Sequence, residues 1–119
     1  MKFSISLNKN YEFRRLYSRG KCAVTPLLAV YFRRTRRAGN RVGLTVTAKV
    51  GKAVHRNRVR RRLREIYRLN EHRLQRGLDI VIVARVRSRS AEYRQLERAF
   101  IEACVRLGIL AEAGKRGEE

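Results

Sequence analysis

The sequence is poor in the residues from which catalytic and metal sites are most often built. It holds two cysteines, two histidines and no tryptophan among 119 residues. Cys22 and Cys104 lack CxxC spacing, so we expect both to be reduced, small apolar fillers. His55 and His72 have no cysteine or carboxylate at ligand spacing, which argues against a structural metal ion. The GxSxG, HExxH and Walker glycine motifs are absent, so the chain offers no candidate catalytic residues of its own.

Long apolar runs are also missing. None approaches the ~20 residues needed to span a bilayer, and the N-terminus turns polar at Asn8 instead of forming a signal-peptide core. We therefore expect a soluble, cytoplasmic protein. A chain of this length fits one domain, residues 1–119, with an ordered core over about 8–108 and a tail over about 109–119.

Acidic residues are scarce and unevenly distributed. Thirty Lys and Arg stand against ten Asp and Glu, for a formal net charge of +20. From Phe13 to Arg64 there are seventeen basic residues and no acid. Such self-repulsion opposes compactness unless a partner neutralises it, and RNA, DNA, an anionic membrane or an acidic protein could do so. Arginine dominates lysine, and its planar fork binds phosphate oxygens bidentately and stacks on bases, which favours nucleic acid.

Apolar periodicity predicts six elements in the order α, β, β, α, β, α. This order indicates an α/β (α+β) two-layer sandwich in a single small domain. The predicted elements are helix 11–18, strand 22–32, strand 41–47, helix 52–76, strand 78–86 and a last helix capped by Ser90 and ended by Gly108. Pro26 should interrupt strand pairing, since it cannot donate to a ladder. Residues 33–40 resemble an exposed basic hairpin loop, so strand 41–47 is expected to pair antiparallel with the strand before it. Alternation along this strand predicts that Val42, Leu44 and Val46 face the core, and that the residues between and after them face outward: Gly43, Thr45 and Thr47.

The first helix leaves two interpretations open. Asn8 and Asn10 are possible N-caps, and Phe13, Leu16 and Tyr17 share one face at i, i+3, i+4 spacing. These aromatic rings either belong to the core or, beside neighbouring arginines, stack on bases.

Residues 52–76 carry the strongest helical pattern in the chain. One line of positions is largely apolar, with Tyr67 beside it: Val59, Leu63, Ile66, Asn70 and Leu74. Another face carries arginines one helical turn apart, flanked by Asn57 and Arg61: Arg56, Arg60, Arg64 and Arg68. Like charges at this spacing repel by about 0.2–0.5 kcal/mol per pair, so the row makes sense if phosphates supply the counter-charge.

The segment Arg56-Asn57-Arg58, followed by Val59 and basic residues at 60, 61 and 64, resembles the RNR signature of the bacterial ribonuclease P protein family. Residues 41–54 resemble the family's strand and loop before that motif, and residues 78–85 resemble the strand after it. Tyr11-Glu12-Phe13 with Leu16-Tyr17 resembles the family's first helix. The resemblance covers roughly residues 8–108.

This resemblance implies a ribonucleoprotein endonuclease in which RNA performs the chemistry and the 5′ leader of precursor tRNA is removed. It implies a catalytic RNA and precursor tRNA as partners, and Mg²⁺ held mainly by the RNA, with no cofactor intrinsic to the protein. The family's leader-binding cleft, between the sheet and the first helix, falls on Phe13, Tyr17 and Tyr31. Its RNA-binding positions along the RNR helix fall on Lys52, Arg56, Asn57, Arg58, Arg60, Arg61, Arg64 and Arg68. The family's crossover through this helix is left-handed, whereas physical argument alone predicts a right-handed one.

Two positions depart from the family's pattern. Arg60 stands where the family often has lysine, which keeps the charge but changes phosphate geometry. Arg62 stands where many members have a bulky apolar residue. Either the buried edge of this helix is shifted, or the stem of Arg62 lies along that edge while its charge reaches water. Two other functions remain as alternatives: a ribosomal protein or other RNA-binding protein with no role in processing, and a DNA-binding regulator using residues 56–76. The regulator would need a preceding helix joined by a short turn, and strand 41–47 argues against it.

Overall fold

A computed structural model describes residues 4–7 and 10–111. Within these residues the chain forms five β-strands and three α-helices. In chain order they are β1 (Ser4–Ser6), α1 (Asn10–Arg19), β2 (Lys21–Val24), β3 (Leu28–Arg34), β4 (Asn40–Thr45), α2 (Ala53–Asn70), β5 (Leu78–Ala84) and α3 (Tyr93–Leu107). Short 3-10 helices lie at Ala48–Val50, Glu71–Arg73 and Val86–Ser90.

The strands form one mixed sheet in the order β1-β4-β5-β3-β2. β1, β4 and β5 are mutually parallel, and β3 runs antiparallel to both β5 and β2. Because parallel neighbours need a crossover connection, α2 carries the chain from β4 to β5; the hand of this crossover stays a prediction. β1 ends at Ser6, opposite Val42, whereas β4 continues to Thr45. The last residues of β4 therefore lie at an open edge of the sheet.

The two faces of the sheet are covered unequally. Val30 and Ile82 face α2 and α3, and belong to the main core. On the opposite face Tyr31 and Val81 pack against Leu16 of α1. The single α+β domain is therefore confirmed: the sheet and the α2–α3 pair form its two principal layers, and α1 covers part of the other face. The apolar character of both faces of β3 follows from this double cover.

The predicted strand 22–32 is in fact two strands. β2 and β3 form an antiparallel hairpin, and Thr25 Oγ1 closes its turn by accepting a hydrogen bond from the Leu28 N–H at 3.1 Å. The prediction that Pro26 interrupts strand pairing is confirmed. The hairpin predicted for residues 33–40 is wrong, because β5 lies between β3 and β4. Periodicity reveals that two strands exist, but it does not reveal that a third strand inserts between them.

Two helix boundaries also differ from prediction. α2 ends at Asn70, since residues 71–73 tighten into a 3-10 helix and Leu74 becomes extended. The cap of α3 is Glu92, not Ser90: its N–H donates to Gln95 Oε1 at 2.8 Å in a capping box. Gly108 ends α3 in the left-handed conformation, as predicted.

Terminal predictions fall partly outside the described residues. Asn8, one of the two possible caps of the first helix, lies outside them, and Asn10 is the first residue of α1. Residues 112–119 of the predicted tail also lie outside. The preceding residues Ile109 and Leu110 are buried, and Leu110 bridges Leu74.

The two cysteines have different environments. Cys104 is buried in the main core, and burial raises the pKa of its thiol to about 12, so the prediction of an apolar filler is confirmed. Cys22 is exposed on β2, where the same prediction is wrong. It lies opposite Tyr31 in the hairpin register. Burial first, and then a hydrogen bond with Cys22, raise the pKa of Tyr31 above its ordinary value.

Candidate nucleic-acid interface

Three aromatic rings form a row between α1 and the sheet. The ring centroids of Phe13 and Tyr17 lie 6.5 Å apart, and those of Tyr17 and Tyr31 lie 5.0 Å apart in an edge-to-face arrangement. Tyr17 is 40% exposed, whereas Phe13 and Tyr31 are half-buried. The row therefore combines the two interpretations from sequence, since each ring is packed on one side and reachable on another.

Phe13 and Tyr17 border an open groove of about 570 Å³ between α1 and the end of β4. Tyr31 lies behind them, in contact with the Tyr17 ring. The α1 wall consists of side chains at steps of three and four residues, which share one helix face: Asn10, Phe13, Arg14 and Tyr17. Leu44, Thr45 and Val46 form the other wall. The Tyr17 hydroxyl lies 2.7 Å from Thr45 Oγ1, so a hydrogen bond joins the two walls.

Gly43 determines how closely α1 approaches β4. A Cβ atom at this position would lie 2.6 Å from the Phe13 ring, closer than real side chains pack. Gly43 was expected to face outward, opposite to Val42, and it does lie on the other face of the strand. It is nevertheless buried, because α1 covers that face. The floor of the groove beside Phe13 is therefore main chain.

An ion-pair network holds α1 to the sheet. Arg41 donates to the two carboxylate oxygens of Asp79 at 2.9 and 2.7 Å, and it also pairs with Glu12. The hydrogen bond to Asp79 is the main reason that the pKa of Arg41 is raised above its ordinary value. These two acids are thus engaged inside the protein.

α2 places its arginine row beside the open edge of β4. Arg60 and Arg64 line a small pocket of about 170 Å³ together with Tyr67 and residues 6–7 and 42–44. Arg56 and Arg60 are half-buried, and Arg64 is exposed. Within residues 4–7 and 10–111, none of these three arginines has an acidic partner. We call Arg56, Arg60 and Arg64 the arginine face.

Two further arginines of α2 are engaged within the protein. Arg68 pairs with Glu65, with Nε and Nη2 at 2.7 and 2.5 Å from the same carboxylate oxygen. Of the predicted row, Arg68 is therefore the member with an acidic partner. Arg62 is half-buried, and its Nη1 donates to the Ala91 carbonyl at 3.0 Å. The stem of Arg62 thus follows the buried edge of α2, which is one of the two arrangements predicted for this residue.

A second group of cations lies at the start of α2. Arg89 Nη2 is 3.1 Å from His55 Nε2, a contact that joins α2 to the segment after β5. Partial burial, followed by the charges of Arg89, Arg58 and Lys52, lowers the pKa of His55 below its ordinary value. Because arginine only donates, His55 Nε2 must accept in this contact, which requires the neutral ring.

Sequence reasoning missed several residues that the fold brings to these surfaces. Asn10 was considered only as a cap, and Arg14 only as a neighbour of the aromatic rings, yet both line the groove. Thr45 was predicted to face away from the main core, and that alternation was the available signal for it. Its partner Tyr17 is 28 residues away in the chain, so the hydrogen bond itself could not be predicted.

The described residues assemble two surfaces, the aromatic groove and the arginine face, and Leu44 borders both. Across residues 4–7 and 10–111 no three His, Cys, Asp or Glu side chains come together as a potential metal site. In the same part of the chain, no helix has the length and apolar character needed to cross a membrane.

Fold and surfaces together define a class: a small, strongly basic α+β domain with an aromatic groove on one sheet face and an arginine-rich crossover helix. A family model described as Ribonuclease P matches residues 1–108. The chain belongs to the ribonuclease P protein family. It is therefore a component of a ribonuclease, and this membership implies an RNA partner. The match confirms the resemblance indicated by the RNR motif and decides against a ribosomal protein or a DNA-binding regulator.

Individual relatives resemble nearly the whole chain. The ribonuclease P protein component of Clostridium botulinum (strain Langeland) is 42% identical over 104 residues, which cover 87% of this chain and 94% of the relative. That of Alkaliphilus oremlandii is 39% identical over 113 residues, covering 95% and 99%. The RNase P protein of Thermotoga maritima has a TM-score of 0.74 at 27% identity, covering 82% and 92%. That of Staphylococcus aureus has a TM-score of 0.81 at 24% identity, covering 87% and 95%, and it supports the fold.

Proposed function

We propose that this chain binds the catalytic RNA of ribonuclease P and the single-stranded 5′ leader of precursor tRNA, and so supports removal of the leader. The observation that carries the proposal is the meeting of two unlike surfaces at Leu44. One offers aromatic rings, which suit unpaired bases, and the other offers arginines without acidic partners, which suit phosphates.

The groove has the properties of a binding site for a single strand. Stacking on an aromatic ring is worth about 1–3 kcal/mol per base and tolerates any sequence, because every base has a π-face. The Tyr17 ring is held by its contact with Tyr31 and by its hydrogen bond to Thr45. A ring held in advance loses less conformational entropy when a base stacks on it. Arg14, exposed at the groove, supplies a cation for the adjacent phosphates.

The α2 surface has the properties of a binding site for the catalytic RNA. Arg56, Arg60 and Arg64 repeat every four residues, about 6 Å along the helix axis and slightly more than one turn apart. Since they lack acidic partners in the described chain, RNA phosphates provide their counter-charge. The remaining RNR-helix residues of this proposed site are exposed at the N-terminal half of α2: Lys52, Asn57, Arg58 and Arg61.

The chemistry in this proposal belongs to the RNA, with Mg²⁺ held mainly by RNA oxygens. The described residues that line the groove include no carboxylate. Glu12 and Asp79 are engaged with Arg41, and Glu65 is engaged with Arg68. The role proposed for the protein's own side chains is to hold the leader and the catalytic RNA together in one orientation.

Reconstitution tests the proposal. Precursor tRNA is incubated with Mg²⁺ and the isolated chain, the catalytic RNA, or both, at near-physiological salt. We expect specific cleavage at the leader junction with both components and none with the chain alone. One solved structure of the Staphylococcus aureus protein is of a mutant with defective mRNA degradation activity, so a messenger RNA is included as a second substrate. Cleavage of either substrate by RNA-free chain, with contaminating nuclease excluded, would contradict an RNA-only catalytic centre.

A further inference from the structure

A further group of arginines lies at the end of β3 and in the loop that leads to β4, away from the RNR residues 56–58. Four arginines occur within five residues: Arg33, Arg34, Arg36 and Arg37. Arg33 is half-buried and the other three are exposed. We propose that this β3–β4 arginine cluster binds phosphates of the catalytic RNA, at a place separate from both the arginine face and the leader groove. The inference rests on the proposed function and adds a second contact with the same RNA.

The cluster lies beside the chain that follows α2. The Thr35 N–H donates to the Gly77 carbonyl at 2.7 Å, and Arg34 Nη1 donates to Gln75 Oε1 at 2.7 Å. The RNR residues 56–58, in contrast, lie in the first turns of α2, which has 18 residues. At 1.5 Å per residue such a helix is about 27 Å long, so residues 56–58 and the cluster lie toward opposite ends of it.

The cluster is held in a defined conformation. Thr35 Oγ1 accepts from the Arg37 N–H at 3.2 Å. Gly77 adopts a φ of 81°, and a Cβ there would lie 3.0 Å from the Arg37 carbonyl oxygen, so this close approach requires glycine. The Arg34 guanidinium lies 5.7 Å from the centroid of the Phe32 ring, within cation–π range. A backbone held in this way loses less conformational entropy on binding than a freely moving one.

Internal acids leave most of the cluster's charge uncompensated. Asp79 already accepts from Arg41 at 2.9 and 2.7 Å, and Arg37 approaches it only to 3.9 Å. Arg33 and Arg36 have no acidic partner in the part of the chain that the structure describes. Residues 33–40 include no aromatic residue, unlike the leader groove. Charge without stacking rings fits the phosphates of structured RNA better than unpaired bases.

The test is a titration of the full chain with catalytic RNA, in the absence of precursor, at several salt concentrations. The variant is Arg33→Gln combined with Arg36→Gln. If both arginines contact phosphates, the slope of log affinity against log salt should flatten by about 0.7–0.9 per arginine, which is about threefold less affinity lost per arginine between 50 and 200 mM salt. The matched control is Arg94→Gln with Arg98→Gln on α3, which makes the same change in net charge at two exposed positions beside Glu97 and Glu102.

The outcomes separate this inference from the proposed function. A cluster variant that behaves like the control, with or without a lower melting temperature, would overturn the inference and leave the cluster a solvated surface. A loss seen only with leader-bearing precursor would overturn the assignment to catalytic RNA. Arg60→Gln with Arg64→Gln is titrated in parallel. If this pair also leaves the slope unchanged, the proposed function itself fails; if it alone flattens the slope, only the cluster inference fails.

Discussion

The groove beside α1 and the arginine face of α2 adjoin the same open strand edge, yet they are built in opposite ways. Phe13 and Tyr31 pack into the smaller core, and Tyr17 is hydrogen bonded across the groove. Arg60 and Arg64 line their pocket without an acidic partner in the described chain. Under the proposed function the groove residues therefore contribute to both folding and binding, whereas the arginine face contributes to binding alone. Substitutions on the two surfaces should consequently differ in their effect on stability and in their dependence on salt.

The largest expected effect comes from Arg56→Ala, Arg60→Ala and Arg64→Ala combined. Affinity for the catalytic RNA should fall, and the slope of log affinity against log salt should flatten by somewhat under one unit per arginine, about 0.7–0.9 each. Thermal stability should stay the same or rise, because a row of like charges is relieved. Titrations at several salt concentrations, with melting curves alongside, measure both quantities. Unchanged slopes with falling melting temperatures would show that these arginines stabilise the fold and do not bind RNA.

Two single variants on α2 serve as controls for that result. Asn57→Ala removes no charge, so it should weaken RNA binding with little change in the salt slope. Arg68→Ala breaks the pair with Glu65 and should lower stability only slightly, since an exposed pair of this kind is worth about 0.3–0.5 kcal/mol. Its effect on the salt slope should be smaller than that of Arg64→Ala, because the charge of Arg68 is already partly compensated.

Replacing the aromatic rings should affect the leader specifically. Phe13→Ala, Tyr17→Ala and Tyr31→Ala should each weaken binding of leader-bearing precursor by ~1–3 kcal/mol, while binding of mature tRNA changes little. Phe13→Ala should also lower the melting temperature most clearly, since the ring packs on Gly43. Tyr17→Ala, at the most exposed of the three rings, gives the cleanest separation of binding from folding. Loss of folding in all three variants would show that the rings serve only to pack the core and do not bind the leader.

A smaller effect is expected from the hydrogen bond across the groove. Thr45→Val keeps the shape of the side chain but removes the partner of the Tyr17 hydroxyl, which should weaken leader binding by about 0.5–1.5 kcal/mol at most. Tyr17→Phe should be similarly mild, because stacking depends on the ring. In the Tyr17→Phe background Thr45→Val should cost nothing further, since the bond is already absent. Fully additive losses in this double-mutant cycle would mean that the hydrogen bond does not position the ring.

The smallest expected effect is a pH dependence at His55. Burial and nearby cations lower the pKa of His55 in the folded protein. At pH values below the unfolded-state pKa, which is about 6.5, protons therefore bind more readily to the unfolded chain than to the folded one. The contribution of neutral His55 to stability is therefore present above about pH 6.5 and is lost as pH falls toward the folded pKa. His55→Gln should reduce the drop in melting temperature on acidification, and His72→Gln is the control for the other histidine. Identical pH dependence in wild type and His55→Gln would contradict this assignment.

The parts that could be predicted from sequence depend on local spacing. The buried line Val59, Leu63, Ile66 and the left-handed stop at Gly108 follow from helical periodicity and glycine's backbone freedom. The insertion of β5 between β3 and β4 and the joining of His55 to Arg89 could not be predicted. Both bring together segments distant in the chain, and no local pattern records which segments meet.

The same distinction applies within the candidate site. The arginine row was visible as a repeat of four residues, but only the structure shows that Arg68 is paired and that Arg64 lines a pocket with β4. Phe13 and Tyr17 were visible as neighbours on one helix face, whereas Tyr31 came from the family resemblance. Their grouping into one row depends on Tyr31, which a different strand supplies.

Under the proposed function this chain holds a catalytic RNA and a leader-bearing precursor tRNA at once. The most direct measurement is to purify the chain from cells under native conditions, crosslink the bound RNA and sequence it. We expect one structured RNA species together with precursor tRNAs that retain their 5′ leaders, with leader nucleotides crosslinked at the α1 groove. Recovery of ribosomal RNA alone would contradict the claim.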